Sequence, residues 1–318
     1  MDFRTPIELP RPSFTLQPSD SIVLLGSCFA AHIGERLARA LPAERVCLNP
    51  TGVLYNPLSI TRTISMLLKE GKSIEEYLFQ GRDGLWRNWL FSGIVATENP
   101  DDCLRLTREA LQRGAQMLRQ AKLCVVTWGT NVYYRLKDTP VIVANCHKEP
   151  AECFTEGHDS IDNIVLMWHP FIETVRRLNP SLHWVFTVSP YRYAKYGFHR
   201  SNLSKAVLLL AAERVCAAHD NCHYFPAYEI LLDELRDYRF YEPDMLHPSG
   251  QAVDYIWERF KDWCFSDRLR EFAADHEKLV RARSHRPLHP GTAACQQFLK
   301  NLEAQEAGFR RKWAEELP

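Results

Sequence analysis

The segment Ser21-Ile22-Val23-Leu24-Leu25 runs straight into Gly26-Ser27-Cys28-Phe29-Ala30, and this junction constrains the fold more than any other part of the chain. The apolar run has the length and composition of a buried strand, and Ile33, Leu37 and Leu41 then follow at helical spacing. A buried strand that turns at once into a helix is the building unit of a parallel sheet covered on both faces. Glycine permits a tight backbone at such a turn, and the N–H groups at a helix start stabilise negative charge. Two potential nucleophiles, Ser27 and Cys28, occupy the turn. That placement suits acyl transfer if the chain also supplies a base, an orienting acid and oxyanion donors.

The same alternation continues along the chain. Buried-type strands are expected at 22–25, 45–48, 123–128, 183–188 and 222–225, with helices near 29–41, 57–70, 101–120, 160–178, 201–219 and 249–263. Together they predict an α/β fold, a flavodoxin-like three-layer α/β/α sandwich with a parallel five-stranded sheet, right-handed crossovers, and ligands outside the carboxyl ends of the strands. Residues 71–99, with Gly84-Leu-Trp-Arg-Asn-Trp-Leu90, and residues 132–158 interrupt the pattern and read as insertions over that edge. The second insertion carries an expected hairpin of Val132–Leu136 and Val141–Ala144. A catalytic domain over 1–265 is expected, followed by a charged helical extension over 266–318, broken near Pro287 and Pro290, that packs on the domain or a partner.

Composition narrows the function classes. Thirty-nine Lys+Arg balance thirty-nine Asp+Glu, so no electrostatic footprint points to nucleic acid or an anionic membrane. No apolar run approaches the roughly 20 residues of a membrane span, and Met1-Asp2-Phe3-Arg4-Thr5-Pro6 lacks the architecture of a signal peptide. Ten cysteines at 28, 47, 103, 124, 146, 153, 216, 222, 264 and 295 form no CxxC pair, so reduced, mostly packed thiols and a cytoplasmic location are expected. No cofactor and no metal are expected; Cys146-His147-x-Glu149 and Asp244/His247 offer ligand types without a zinc spacing. Oligomeric state is not legible.

What decides between scaffold and enzyme is where the polar residues fall. Gly26-Ser27-Cys28, Asn49–Pro57, Gly129-Thr130-Asn131, Ser189-Pro190-Tyr191-Arg192 and Asp244-Met245-Leu246-His247 each follow an expected strand, and in a doubly wound sheet such ends converge on one crevice. Each has a bland reading alone. Ser27 can simply cap the helix, Cys28 can pack as an apolar side chain, Gly-Thr-Asn is a common turn, and Asp-x-x-His spacings arise by chance. The chemical reading is that Asn131 directs an amide at an oxyanion, while Asp244 fixes the tautomer of His247 and leaves its other nitrogen as a base. Three motifs at separate strand ends favour catalysis over coincidence.

These residues resemble the GSCFA-domain family, placed in the SGNH/GDSL hydrolase superfamily. The similarity runs through Gly26–Ala30, Asn49–Ser59, Thr127–Thr130, Ala144–Lys148, Ser189-Pro190, Tyr224–Glu229, Asp233–Tyr241 and Asp244–Ser249, covering roughly residues 5–265. The resemblance implies a serine nucleophile in the third place of a Gly-Asp-Ser tripeptide, an oxyanion hole from a later glycine and a Gly-x-Asn segment, and a late Asp-x-x-His. Gly52, Asn131, Asp244 and His247 match the last three blocks. The first block departs: an ungapped match places Cys28, not Ser27, in the nucleophile's position. Chemistry leaves both open, since a helix-start cysteine ionises more easily while a serine needs the full Asp–His relay; the positional match favours Cys28 modestly and leaves Ser27 to shape the turn or donate a hydrogen bond.

The resemblance implies an esterase or acyl hydrolase acting on a small-molecule ester or thioester, with an acyltransferase and a non-catalytic binding module as alternatives. Asn56, Asn145, His147, Tyr191 and Arg192 are the candidate substrate contacts, and Trp86, Trp89, Tyr133 and Tyr134 could extend an acceptor platform. Tyr193 and Tyr196 stand where the family has histidine and aspartate, and Trp89 lies where it tends to have histidines, implying a changed substrate preference or lost activity, of which the intact Asp244/His247 pair favours the first. Asp233–Tyr241, rich in acids, arginines and tyrosines, is expected to form a buried polar network behind the Asp244–His247 loop, with Arg236 or Arg239 as possible substrate ligands. His32, His219 and His223 are expected on helix surfaces or loops; His158 and His169 have no assigned role.

Overall fold

The computed structural model describes residues 4–68, 74–285 and 292–317. Its strands are β1 (Ile22–Gly26), β2 (Val46–Leu48), β3 (Leu78–Gln80), β4 (Trp86–Asn88), β5 (Leu123–Trp128), β6 (Val132–Leu136), β7 (Ile142–Val143), β8 (Phe154–His158), β9 (His183–Val188) and β10 (Cys222–Tyr224). Its helices are α1 (Cys28–Ala40), α2 (Pro57–Leu68), α3 (Pro100–Gln120), α4 (Ile161–Leu178), α5 (Phe198–Ala218), the short α6 (Ala227–Glu229), α7 (Gly250–Cys264), α8 (Asp267–Ser284) and α9 (Ala293–Lys312).

The five expected core strands form one sheet in the order β10-β9-β5-β1-β2, all parallel. The chain leaves β1 toward one edge to make β2, then crosses back to β5 on the other side of β1. This reversal is the switch point at which an open parallel sheet leaves a crevice outside its strand ends. Register alternation separates the two cores. Ile22, Leu24, Leu123 and Val125 face Ile33 and Leu37 of α1, Ile256 and Phe260 of α7, and Leu269 and Phe272 of α8. Val23, Leu25, Cys124, Val126 and Phe186 face Ile60 and Ile64 of α2, Trp168 of α4 and Leu208 of α5. Successive strand side chains point to opposite faces, so a strand buried on both sides must be apolar throughout.

The C-terminal helices belong to the first of these cores. Trp313, just past α9, is fully buried, with its ring 5.1 Å from that of Phe272 and its Nε1 donating to Asp275 at 3.2 Å. The expected helix break at Pro287 and Pro290, and residues 69 and 70 of the expected second helix, lie outside the described residues.

The insertions are richer than expected. β3 and β4 pair as an antiparallel hairpin over a small separate core of Leu90, Phe91, Val95 and Cys103. β6 pairs with β7, as the hairpin reading expects, and on its other edge with β8, making three strands. That third strand, Phe154-Thr-Glu-Gly-His158, carries a charge and a glycine and so lacks a β-rich composition.

Candidate active site

The turn after β1 is forced by packing. Gly26 has φ +137°, and a Cβ there would stand 2.2 Å from the Thr127 carbonyl oxygen on β5. Only glycine allows the two strands to approach this closely at that backbone angle. Asn49 supports the turn by accepting the Gly26 N–H at 2.9 Å through its side chain. Ser27 then takes the N-cap position of α1 but makes no capping bond; its hydroxyl is buried, the residue is 1% exposed, and no partner is within reach. The capping role open to Ser27 in the sequence is therefore not what its side chain does.

Cys28 is the first residue of α1 and only half-buried. Burial pushes its thiol up in pKa, while its own N–H, the Tyr55 hydroxyl, the Lys205 ammonium and the Phe29 N–H each pull it back. These first-turn N–H groups have no carbonyl one turn earlier to bond, which leaves them for an anion. Tyrosines wall the space around Cys28. Burial and the neighbouring Cys28 lift the Tyr55 phenol to about 12, and burial raises Tyr193 well above its ordinary value. The Tyr55 and Tyr193 rings meet edge-on at 6.4 Å, and Tyr193 meets Tyr191 at 4.7 Å. Gly129 admits this arrangement, since a Cβ there would lie 2.8 Å from the Tyr193 hydroxyl and 3.0 Å from the Tyr55 carbonyl oxygen.

Beneath the tyrosines lies Lys205 of α5, 2% exposed. Its Nζ donates to the Gly129 and Ser189 carbonyl oxygens at 2.7 and 2.6 Å, the residues that follow β5 and β9. Burial lowers the amine to about 7, against which Cys28 acts in the opposite direction. Sequence reading missed this residue although a signal existed. Ser201, Ser204, Lys205, Leu208, Ala211, Ala212 and Val215 form the buried stripe of α5, with the lysine in register.

Asp244 and His247 come together as the sequence predicts. His247 Nδ1 lies 2.5 Å from Asp244 Oδ2, and Asp244 Oδ1 accepts the backbone N–H groups of Leu246 at 2.8 Å and His247 at 3.0 Å. Those three bonds, the His247 N–H foremost, hold the Asp244 carboxyl down at about 2. Both side chains are open to solvent, at 40% and 43% exposure. The loop bearing them needs a left-handed residue, Met245 at φ 59°. Arg192 anchors it from the loop after β9: its N–H donates to the Leu246 carbonyl at 3.1 Å and its Nη1 to the Met245 carbonyl at 2.9 Å, while the guanidinium lies 4.3 Å from the Phe198 ring centroid.

No hydrogen bond joins His247 to Ser27 or Cys28 among the described residues. Tyr191 stands at the junction instead. Its ring is 4.4 Å from the His247 ring, and its phenol, raised mainly by burial, also feels the charges of Cys28 and Asp244.

The other candidates fall into place individually. The Gly52 N–H closes a turn onto the Asn49 carbonyl at 2.7 Å, so as placed it is not a free oxyanion donor. Asn131 gives one Nδ2 hydrogen to the Asp159 carbonyl at 2.8 Å and retains the other. Beside it the buried Asp159 carboxyl is pushed up to about 6, with one oxygen unpartnered. Asn56 caps α2 through the Ser59 N–H at 2.9 Å, and Asn145 closes an Asx turn onto the His147 N–H at 2.7 Å. The His147 ring packs 5.3 Å from Phe79 and 5.8 Å from Trp89, inside the insertion, while Glu149 pairs with Arg82 at 3.6 Å.

One expectation is corrected. Arg236 and Arg239 are exposed and pair with the adjacent Asp233 and Asp237, so Asp233–Tyr241 is no buried network. Only Glu234 is buried there, and it ties Tyr255, Arg259 and the Ile7 N–H. His219 lies in the turn after α5, a loop position as expected, where its side chain, 8% exposed, bonds His169 at 2.7 Å and Glu173 at 3.2 Å.

Fold and site together define a doubly wound α/β protein with a Ser-Cys turn at its switch point and an Asp–His pair across the crevice. The chain belongs to the GSCFA family: the family model matches residues 21–260, and a model for the GSCFA domain protein, C-terminal domain, matches residues 276–316. No curated protein matches it. Among solved structures, an acetyl xylan esterase (Est2A) from the rumen bacterium Butyrivibrio proteoclasticus is similar at 12% identity and TM-score 0.39, over 81% of this chain and 65% of that one. The chain thus spans just under two thirds of that esterase's length. No helix among the described residues is long and apolar enough to cross a membrane.

Proposed function

We propose that this protein is an acyl hydrolase of the SGNH type that cleaves a small-molecule ester or thioester through an acyl-enzyme on Cys28. The observation that carries the reading is the Asp244–His247 pair, closed at 2.5 Å with the carboxylate held ionised. An aspartate so placed fixes the imidazole with Nδ1 protonated, which leaves Nε2 as the base. Cys28 is favoured over Ser27 because Cys28 is only half-buried while the Ser27 hydroxyl is sealed in the core. In the reaction His247 Nε2 takes the Cys28 thiol proton as Sγ attacks the acyl carbon, and the alcohol or thiol leaves with that same proton from the imidazolium. Water, deprotonated by the same imidazole, then releases the acid. The Cys28 and Phe29 N–H groups, with the spare Asn131 hydrogen, stabilise the oxyanion. Tyr191 must shift, or the 241–248 loop close, for Nε2 to reach Sγ. Catalytic hydrogen bonds are often long before substrate binds.

His247→Ala tests the reading. Turnover of small aryl esters and thioesters should fall on the order of 100- to 10,000-fold, with the melting temperature nearly unchanged because the ring is exposed. Retained turnover in the variant would remove His247 from the mechanism. The tyrosine wall also supports a second reading, acyl transfer to an acceptor bound against those rings. Mass spectrometry of the trapped acyl-enzyme, with and without candidate sugar or amine acceptors, separates transfer from hydrolysis. No acylation with any donor would leave a binding module.

A further inference from the structure

Ser204 and Lys205 are consecutive on α5, and both turn polar side chains into the core, at 8% and 2% exposure. Both end on one turn, Gly129-Thr130-Asn131, separated from them by 73 to 76 residues. Lys205 Nζ donates to the Gly129 carbonyl at 2.7 Å. Ser204 Oγ accepts the Asn131 N–H at 2.9 Å and shares a hydrogen bond with Thr130 Oγ1 at 3.1 Å, and Thr130 Oγ1 also accepts the Val132 N–H at 3.1 Å. On the other side of the turn, the Tyr55 carbonyl accepts the N–H groups of Gly129 at 2.8 Å and Thr130 at 3.0 Å. Asp159 closes a reciprocal pair with Asn131. Its N–H donates to the Asn131 carbonyl at 2.8 Å, and its own carbonyl accepts Asn131 Nδ2, also at 2.8 Å. The backbone of this turn is thereby bonded to three segments remote from it in sequence.

We propose that Ser204 is a positioning residue for Asn131, setting the direction in which the spare Nδ2 hydrogen of that asparagine points. Asp159 holds Asn131 by its carbonyl and its side-chain amide, while Ser204 holds it by its N–H, so the residue is pinned on both sides of its Cα. Asn131 is 6% exposed, and without the Ser204 hydroxyl its N–H would be left buried and unpaired. The backbone would relieve this by turning toward another acceptor, with the Asp159 bonds as the pivot, and the amide would swing with it. Displacing a group at the reacting centre by about 1 Å can cost about 100-fold in rate. In this scheme Ser204 touches neither substrate nor nucleophile, and acts through Asn131. The inference deepens the acyl-hydrolase reading and rests on it for the task of Asn131, while the link between Ser204 and Asn131 is tested without any substrate.

The first test follows the Asn131 side-chain amide by NMR in isotope-labelled protein, with the signals assigned by their loss in Asn131→Ala. In Ser204→Ala the two proton signals should shift and broaden, whereas in Ser204→Thr, which keeps the hydroxyl, they should hold. An unchanged pair in folded Ser204→Ala would overturn the proposal. So would rapid hydrogen exchange of the Asn131 backbone N–H in the native chain, a result that needs no variant to fold. The second test is a double-mutant cycle read on p-nitrophenyl acetate hydrolysis. Asn131→Ala should lower kcat on the order of 100-fold, and Ser204→Ala roughly tenfold with KM held. In the Asn131→Ala background the Ser204→Ala step should leave kcat alone, although its loss of stability to urea persists. A merely structural serine would slow both backgrounds alike, and that result would overturn the positioning role. Full turnover in Asn131→Ala would instead remove Asn131 from the oxyanion site, a failure of the acyl-hydrolase reading that the amide signals do not share.

Discussion

The two halves of the proposed site are built in opposite ways. The Ser27–Cys28 turn is made by the core. Gly26 is wedged against β5, the Ser27 hydroxyl is sealed, and Lys205 lies underneath at 2% exposure. The Asp244–His247 loop is made at the surface, with both side chains about two-fifths exposed and the backbone held mainly by Arg192 and by turns within residues 240–250. A group in the core is placed by many contacts at once and titrates far from its ordinary range. A group on a tethered loop keeps solvent around it and moves at small cost. The proposed nucleophile is thus the fixed partner, and closure would fall to the proposed base, His247, and to Tyr191 between them. Substitutions should divide accordingly: in the first half they cost stability, in the second they cost activity.

The largest expected effect lies in the first half. Gly26→Ala puts a methyl 2.2 Å from a backbone oxygen, at a φ of +137° that alanine resists. Neither strand can yield without parting the β1–β5 ladder, so a loss of about 3 kcal/mol or more is expected, read by urea unfolding. The matched change beside the second half is Gly250→Ala, at the start of α7, where a Cβ meets nothing within 4 Å. It should leave stability within about 0.5 kcal/mol. Equal effects at the two glycines would break the comparison at its root.

An intermediate effect comes from Lys205. Its amine is lowered to about 7 in the folded protein and returns to its ordinary 10.5 when the chain unfolds. Between those values the unfolded chain holds a proton that the folded one does not, so folding stability rises with pH across that window. Below pH 7 both states are protonated and the dependence vanishes. The slope is at most about 1.4 kcal/mol per pH unit. Urea unfolding from pH 6.5 to 9.5 should show it in the native chain relative to Lys205→Met, which subtracts the common titration of the unfolded thiols. Identical pH profiles in the two proteins would mean that Lys205 is charged throughout.

How much of this was legible in the sequence follows the same division. The sheet was readable because strands buried on both faces must be apolar end to end, as in Leu123-Cys-Val-Val-Thr-Trp128, and because each runs into a helical stripe. The Asp–His pair was readable because its geometry is local, three residues in one turn. What escaped was non-local. Nothing near Lys205 in the sequence names Gly129 or Ser189 as its acceptors, separated from it by 76 and 16 residues. The role of Arg192 as anchor of a loop some fifty residues onward is hidden for the same reason. Asp233–Tyr241 looked like a network because composition cannot tell an inward arginine from an outward one. β8 escaped because its pairing with β6, not its own composition, makes it a strand.

Arg192 carries the smallest and most discriminating effect. In the sequence it reads as a substrate contact, whereas its Nη1 bonds the Met245 carbonyl at 2.9 Å and its plane lies against Phe198. Arg192→Met keeps the apolar stem and the backbone bond to Leu246 while removing the charge-assisted bond to the loop. One such bond at a solvent-exposed position contributes about 1 kcal/mol, so a roughly fivefold fall in kcat is expected through looser placement of His247. KM for a neutral aryl ester should hold, because no ground-state contact is lost. The opposite split, a raised KM with kcat unchanged, would return Arg192 to the substrate and leave the His247 loop to hold itself. That outcome would also weaken the contrast between a fixed nucleophile and a tethered base, since the tether would then be something other than this arginine.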